Sequence, residues 1–173
     1  MMLFKTILIS LILLLPTMGC GYRMTARYNS LPPHITTIAV PSFENRTMQF
    51  DLSAKLTQAV KREFMERSAC RISSDEAEAD AVLHGIISGY SVTPIAIKRQ
   101  NVGTSFLITL TVKIVFSDRR EDRVLYSNPS FILREEYILS ERNVDFYVEE
   151  GPAIERAAQA FADRLVATIL EDF

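Results

Sequence analysis

The stretch Ser105 to Ser117 constrains the chain most. Phe106, Ile108, Leu110, Val112, Ile114 and Phe116 take every second position, with Thr109, Thr111, Lys113 and Ser117 between them. A period of two marks a half-buried strand, because successive side chains point to opposite faces. Such a strand needs neighbours for its hydrogen bonds and a second layer over its apolar face. The charged segment Asp118 to Asp122 reads as a hairpin turn. Val124 to Tyr137 then returns as a strand, with Phe131, Leu133 and Tyr137 in phase and Asn128-Pro129 interrupting it.

Two amphipathic stripes supply the cover. Leu52, Leu56, Val60 and Phe64 recur every four residues with Ala59 beside them, and Lys55, Lys61, Arg62 and Glu66 fall on the other side. This predicts a helix from Asp51, a plausible N-cap, to about Arg67. Near the C-terminus, Ile154, Ala158, Phe161, Leu165 and Ile169 form a second stripe, widened by Ala157, Ala162 and Val166. Glu149-Glu150-Gly151-Pro152 reads as its start, since carboxylates and an early proline suit a helix N-terminus.

Three further strands are indicated. Ile35 to Phe43 is β-branched, with Pro41 at its end or at a sheet edge. Cys70 to Ser73 is a short candidate. Ala81 to Val92 is apolar on both faces, as in a central strand, and Gly85 and Gly89 mark a bulge, a bend or a close backbone approach. Glu44 to Phe50 and Asp75 to Asp80 read as polar connections. Thr93 to Gly103 reads as a loop carrying Lys98, Arg99 and Gln100. Ile138 to Tyr147 fits no pattern. The predicted class is α+β: a two-layer sandwich of two amphipathic helices on a roughly four-stranded, mostly antiparallel sheet.

The first residues follow a different logic. Lys5 precedes an apolar run from Thr6 to Leu15, then Pro16-Thr17-Met18-Gly19-Cys20. This is the layout of a secretory signal peptide, too short to span a bilayer comfortably. A small residue before a cysteine indicates a lipoprotein signal, cut after Gly19 so that Cys20 leads the mature chain and carries acyl chains. Thr17 and Met18 stand where such sites usually have a leucine and a small residue. A plain cleaved signal with a coincidental cysteine is the other reading. Two or more acyl chains hold a protein stably on a membrane. The organisation read is then residues 1–19 as signal peptide, 20–33 as acylated cysteine and polar tether, and 34–173 as one domain.

Little in that domain carries chemistry. The net charge is -2, with no strongly basic face, which argues against nucleic acid as a partner. With Cys20 acylated, Cys70 has no disulfide partner and reads as a small buried hydrophobe. His34 and His84 belong to no metal-ligand spacing, no Gly-x-Ser-x-Gly elbow exists, and the six glycines form no phosphate-cradling loop. Glu135 and Glu136 are adjacent on a strand and point to opposite faces, so they cannot act as a pair. The reading is a protein that is not an enzyme and uses no metal or cofactor. Lys98, Arg99, Arg119 and Arg120 are ordinary surface charge or, in the sharper reading, contacts to anionic groups such as lipid A phosphates.

Several short motifs resemble the lipopolysaccharide-assembly lipoprotein family, LptE. They are Cys20-Gly21-Tyr22, Leu31-Pro32, Ile35, Ile38 to Phe43 with Asn45 and Thr47, and Ala79 to Leu83 with Gly85 and Tyr90, supported by the terminal helix. The resemblance implies two helices on a four-stranded sheet, tethered to the inner leaflet of the outer membrane through Cys20. It implies a plug inside the LptD β-barrel, a pair that inserts lipopolysaccharide into the outer leaflet. Gly21 after Cys20 agrees with outer-membrane sorting. No motif assigns lipopolysaccharide contacts to a position. Ala39 to Asn45 also looks like the first strand of CsgG-like, LpoB-like and TolB amino-terminal modules, periplasmic proteins that build secretion pores, activate cell-wall synthases or bind envelope partners.

Overall fold

The computed structural model describes residues 31–98, 102–138 and 146–171, with side chains at 31–95, 105–138 and 150–171. In chain order the elements are β1 (Thr37–Ala39), β2 (Glu44–Asn45), α1 (Leu52–Arg67), β3 (Arg71–Ser73), β4 (Ala81–Lys98), β5 (Val102–Asp118), β6 (Arg123–Ile138) and α2 (Phe146–Glu171). The sheet has six strands rather than four, in the order β3-β1-β4-β5-β6, with β2 also on β4. β4, β5 and β6 form a long antiparallel meander. β1 is parallel to both β3 and β4, and β2 is parallel to β4.

The extra strand comes from a break. Pro41 has no N–H to donate, so the predicted run from Ile35 to Phe43 pairs only over Thr37–Ala39. The chain regains β4 at Glu44, opposite Ile86. β1 and β2 thus lie one after the other along the β4 edge that faces away from β5.

Phe43, in the gap, ties this lane to both helices. Its N–H donates to Thr57 Oγ1 at 3.0 Å, and its carbonyl accepts from Ser53 Oγ at 2.5 Å, both in α1. Its ring meets Phe161 of α2 edge-on at 6.4 Å. A Cβ on Gly85 would stand 2.5 Å from the same ring. The close approach expected at Gly85 is therefore made by a side chain. Gly89 marks the expected bulge, a register shift between Ile87 and Gly89. The inward parity of β4 changes there, from Leu83 and Ile87 to Tyr90 and Val92.

Both predicted stripes are buried. Leu52, Leu56, Val60 and Phe64 join Ile154, Ala158, Phe161, Leu165 and Ile169 in one core with Ile108 to Phe116 of β5. Phe64 packs on Phe116 at 6.3 Å, and Phe161 meets Phe131 edge-on at 5.5 Å. Each such side chain contributes roughly 1.5–3 kcal/mol on burial. Asp51 stands at the N-cap of α1, but its carboxylate makes no cap hydrogen bond. At the other end Ser68 donates through N–H and Oγ to the Phe64 carbonyl.

The helices run parallel. Lys55 Nζ donates to the Gly151 carbonyl, Gln159 Nε2 donates to Glu63 Oε2, and Arg67 pairs with Asp163. Each pair is separated by the same 96 positions. A constant offset arises only when two helices share direction and rise. α2 begins at Phe146, earlier than predicted, and Pro152 lies inside it.

The segment Thr93 to Lys98, expected as a loop, continues β4 and pairs with β5 as far as Lys98 opposite Val102. Its Pro94 fits a strand whose other edge has no partner beyond Ile87 among the described residues. Asn128-Pro129 does not interrupt β6. It sits where the register slips between Val112 and Ile114, a bulge that accommodates a residue without an N–H.

Candidate functional site

Of the basic residues singled out in the sequence, Lys98 and the pair Arg119-Arg120 lie at opposite ends of the meander. Lys98 closes β4 opposite Val102, and Arg119-Arg120 follow Asp118, which pairs with Ala81 at the other end. At about 3.3 Å per residue, the strand between them spans on the order of 50 Å. Lys98 and the Arg119-Arg120 pair therefore do not form one site. The side chain of Lys98 lies outside the described set, as do Arg99 and Cys20.

Arg119 and Arg120 sit in a built polar cluster. Asp80 Oδ2 accepts from Thr36 N–H at 2.8 Å, Thr36 Oγ1 at 2.8 Å and Thr37 N–H at 3.0 Å. Its Oδ1 faces Arg120 at 2.7 Å. Burial works against this charge, but the hydrogen bonds from Thr36 and Thr37 and the Arg120 guanidinium outweigh it, and the pKa falls to about 2. Arg119 donates its backbone N–H to the Asp80 carbonyl at 2.8 Å and its guanidinium to the Glu76 carbonyl.

Asp118 holds the β5–β6 turn. Its Oδ1 accepts the N–H groups of Arg120 at 2.9 Å and Glu121 at 3.1 Å. Its Oδ2 lies 2.6 Å from His34 Nε2. Burial again opposes its charge, yet His34 and the turn amides hold its pKa below the ordinary carboxylate value. Asp122 completes the turn in the left-handed region, at φ 48°.

This cluster can stabilise a turn and a strand start, and its chemical reach is narrow. His34 and Asp118 make a dyad, but among the described residues no serine, threonine or cysteine hydroxyl or thiol is bonded to His34. The Cys70 thiol is buried, donates to the Ile35 carbonyl at 3.4 Å and has its pKa raised by burial. His34, Asp118 and Glu121 place ligand atoms within 4.8 Å of one another. Two ligands of one zinc ion stand about 3.3 Å apart, given bonds near 2 Å in a tetrahedron. The 2.6 Å contact of His34 and Asp118 is a hydrogen bond, and a metal would have to displace it. His84 lies on the exposed side of β4, 3.7 Å from Glu76.

A second feature had no sequence signal beyond Asn45 and Thr47. Asn45 Oδ1 accepts from Thr47 N–H and Oγ1, and Asn45 Nδ2 donates to the Gln49 carbonyl at 2.7 Å. The fixed loop holds Met48 and Phe50 almost fully in solvent, 89% and 88% exposed.

The segment that builds this sheet and both helices also matches a known family. The model of the LptE family, described as lipopolysaccharide-assembly, matches residues 35–169. The chain belongs to the LptE family. Among solved structures, this LptE-family chain is similar to a protein from Xanthomonas campestris, at 11% identity and a TM-score of 0.57, covering 84% of this chain and 88% of that one. A protein from Chlamydia trachomatis shows 12% identity and a TM-score of 0.53, with 79% and 96% covered. Rare lipoprotein B from Shewanella oneidensis shows 14% identity and a TM-score of 0.49, with 78% and 94% covered. At these identities the likenesses concern the fold alone. No curated protein sequence matches the chain.

Proposed function

We propose that this LptE-family chain is an outer-membrane lipoprotein, anchored through acyl chains on Cys20, that acts as a plug within an LptD-like β-barrel. The pair would carry lipopolysaccharide to the outer leaflet. The observation that carries this reading is the family match across residues 35–169. In this role the protein is a binding and scaffolding partner, not a catalyst.

The surface supports a partner that surrounds the domain. Among the described residues, the exposed large apolar ones are Met48 and Phe50 before α1, Met65 on α1, Ile95 on β4, and Val124, Ile132 and Ile138 on β6. They are spread over the loop before α1, α1, β4 and β6. An encircling barrel offers contact to each, with polar groups between them forming the rim. Both helices share one core with the sheet, while Ile132 and Ile138 of β6 stay exposed and open to a partner.

Affinity purification of the full chain from detergent-solubilised outer membranes tests this. A large β-barrel protein should copurify in equal proportion. Recovery of a cell-wall synthase alone, or of a ring made only of this chain, excludes the plug.

A further inference from the structure

We propose that the groove between α1 and α2 docks an acidic, extended peptide segment of a partner protein. The groove has a volume of about 230 Å³ and is lined by Lys55, Gln58 and Arg62 of α1 and by Glu155, Arg156 and Gln159 of α2. Three of those six side chains are cations on a chain whose net charge is -2. Among the described residues, no carboxylate forms an ion pair with Lys55, Arg62 or Arg156, and Glu155 in the same groove pairs with none of them. Arg156 is instead held over the Tyr137 ring at 5.4 Å, which fixes its guanidinium without neutralising it.

The placement works against the helix. The first turn of α1 holds no acidic residue and carries Lys55 at the positive end of the helix dipole. An anion bound beside Lys55 would offset this unfavourable placement.

Geometry selects the kind of anion. Lys55 and Arg62 are seven positions apart, about 10.5 Å along the axis. In a polyproline-II segment, side chains three residues apart share a side at about 9 Å, close to the spacing of the cations. Gln58 lies between Lys55 and Arg62, and its amide offers a donor and an acceptor suited to a peptide bond. Cations at this spacing along an open groove match a chain with carboxylates on one side.

The test uses the full-length chain in detergent and fluorescence anisotropy. The probes are short labelled peptides with two Glu three residues apart, and the same peptides with Gln. The Glu peptide should bind at least about tenfold more tightly, and weaken severalfold between about 0.05 M and 0.5 M salt. Arg62→Glu and Arg156→Glu should abolish the difference with an unchanged thermal transition. If either variant fails to fold, Arg62→Gln and Lys55→Gln serve instead. Equal binding of both peptides, or binding of neither, overturns the proposal. Displacement of the Glu peptide by equimolar inorganic phosphate, or uptake by phosphatidylglycerol vesicles without peptide binding, overturns it in favour of a phosphate or membrane site.

Discussion

His34 Nε2 lies 2.6 Å from Asp118 Oδ2, joining the segment before β1 to the end of β5 across 84 positions. The Asp118 side chain is fully buried there and His34 is about one quarter exposed. Replacing His34 with Ala leaves the carboxylate with the turn amides alone. We expect a loss of about 1–2 kcal/mol at pH 7, read by urea denaturation. An unchanged midpoint would show that the turn amides alone satisfy Asp118.

The same end of the sheet should make the protein acid-sensitive. Asp80 has a folded pKa of about 2, depressed from its ordinary value of 3.8. A depressed carboxylate stabilises the fold fully above the unfolded value and loses that contribution as pH falls through the folded one. The loss should run from about pH 4 to pH 2, and amount to about 1–2 kcal/mol. Asp118, shifted in the same direction, adds to it. In Asp80→Asn, stability at pH 7 should drop and the slope between pH 4 and 2 should flatten. A parallel slope in the variant contradicts this assignment.

Gly85 should tolerate no side chain. A Cβ there meets three ring atoms of Phe43 at 2.5 to 2.7 Å, and that ring is fixed by α1 and α2. Gly85→Ala should cost about 1–3 kcal/mol, as overpacking does. Gly89→Ala, whose Cβ first meets Thr111 at 3.4 Å, is the control and should cost clearly less. Equal costs for the two would mean that the Phe43 ring moves freely.

The basic pairs should respond differently to charge reversal. Arg120→Glu faces Asp80 with a like charge and should lower the thermal midpoint. Changing Lys98 and Arg99 to Glu should leave the midpoint alone and weaken lipopolysaccharide binding. Unaltered binding with an intact fold removes Lys98 and Arg99 from any lipid contact.

Cys70 should resist thiol reagents. It is buried beside the Ile35 carbonyl with its pKa raised. Labelling at pH 7 should proceed only as fast as the domain opens, and reach the rate of an unfolded thiol in denaturant.

The periodic parts of this fold were legible. Every apolar residue named from Phe106 to Phe116 and in the two stripes joins the core or packs against it. The number of strands was not, because β2 is too short for a period and Pro41 conceals the break before it, whereas the short strand expected at Cys70 to Ser73 is present as β3. In β4 the bulge at Gly89 exchanges inward and outward positions, so its alternation looks blurred in sequence. Thr93 to Lys98 looked like a loop because proline and mixed polarity signal turns, whereas here an open edge tolerates both. The cluster of His34, Asp80 and Asp118 had no local trace. Its members are brought together by the parallel pairing of β1 with β4.

The constant offset between the helices bears on when the fold can form. α1 belongs to the first half of the chain, and the α2 residues that seal it come from the last stretch before Glu171. Until that stretch emerges from the ribosome, Phe43, Phe131 and the apolar side of α1 lack their cover. Non-local closure of this kind slows folding and prolongs exposure of apolar surface. A chain built this way stays pliable during its synthesis and becomes rigid only with its final turns.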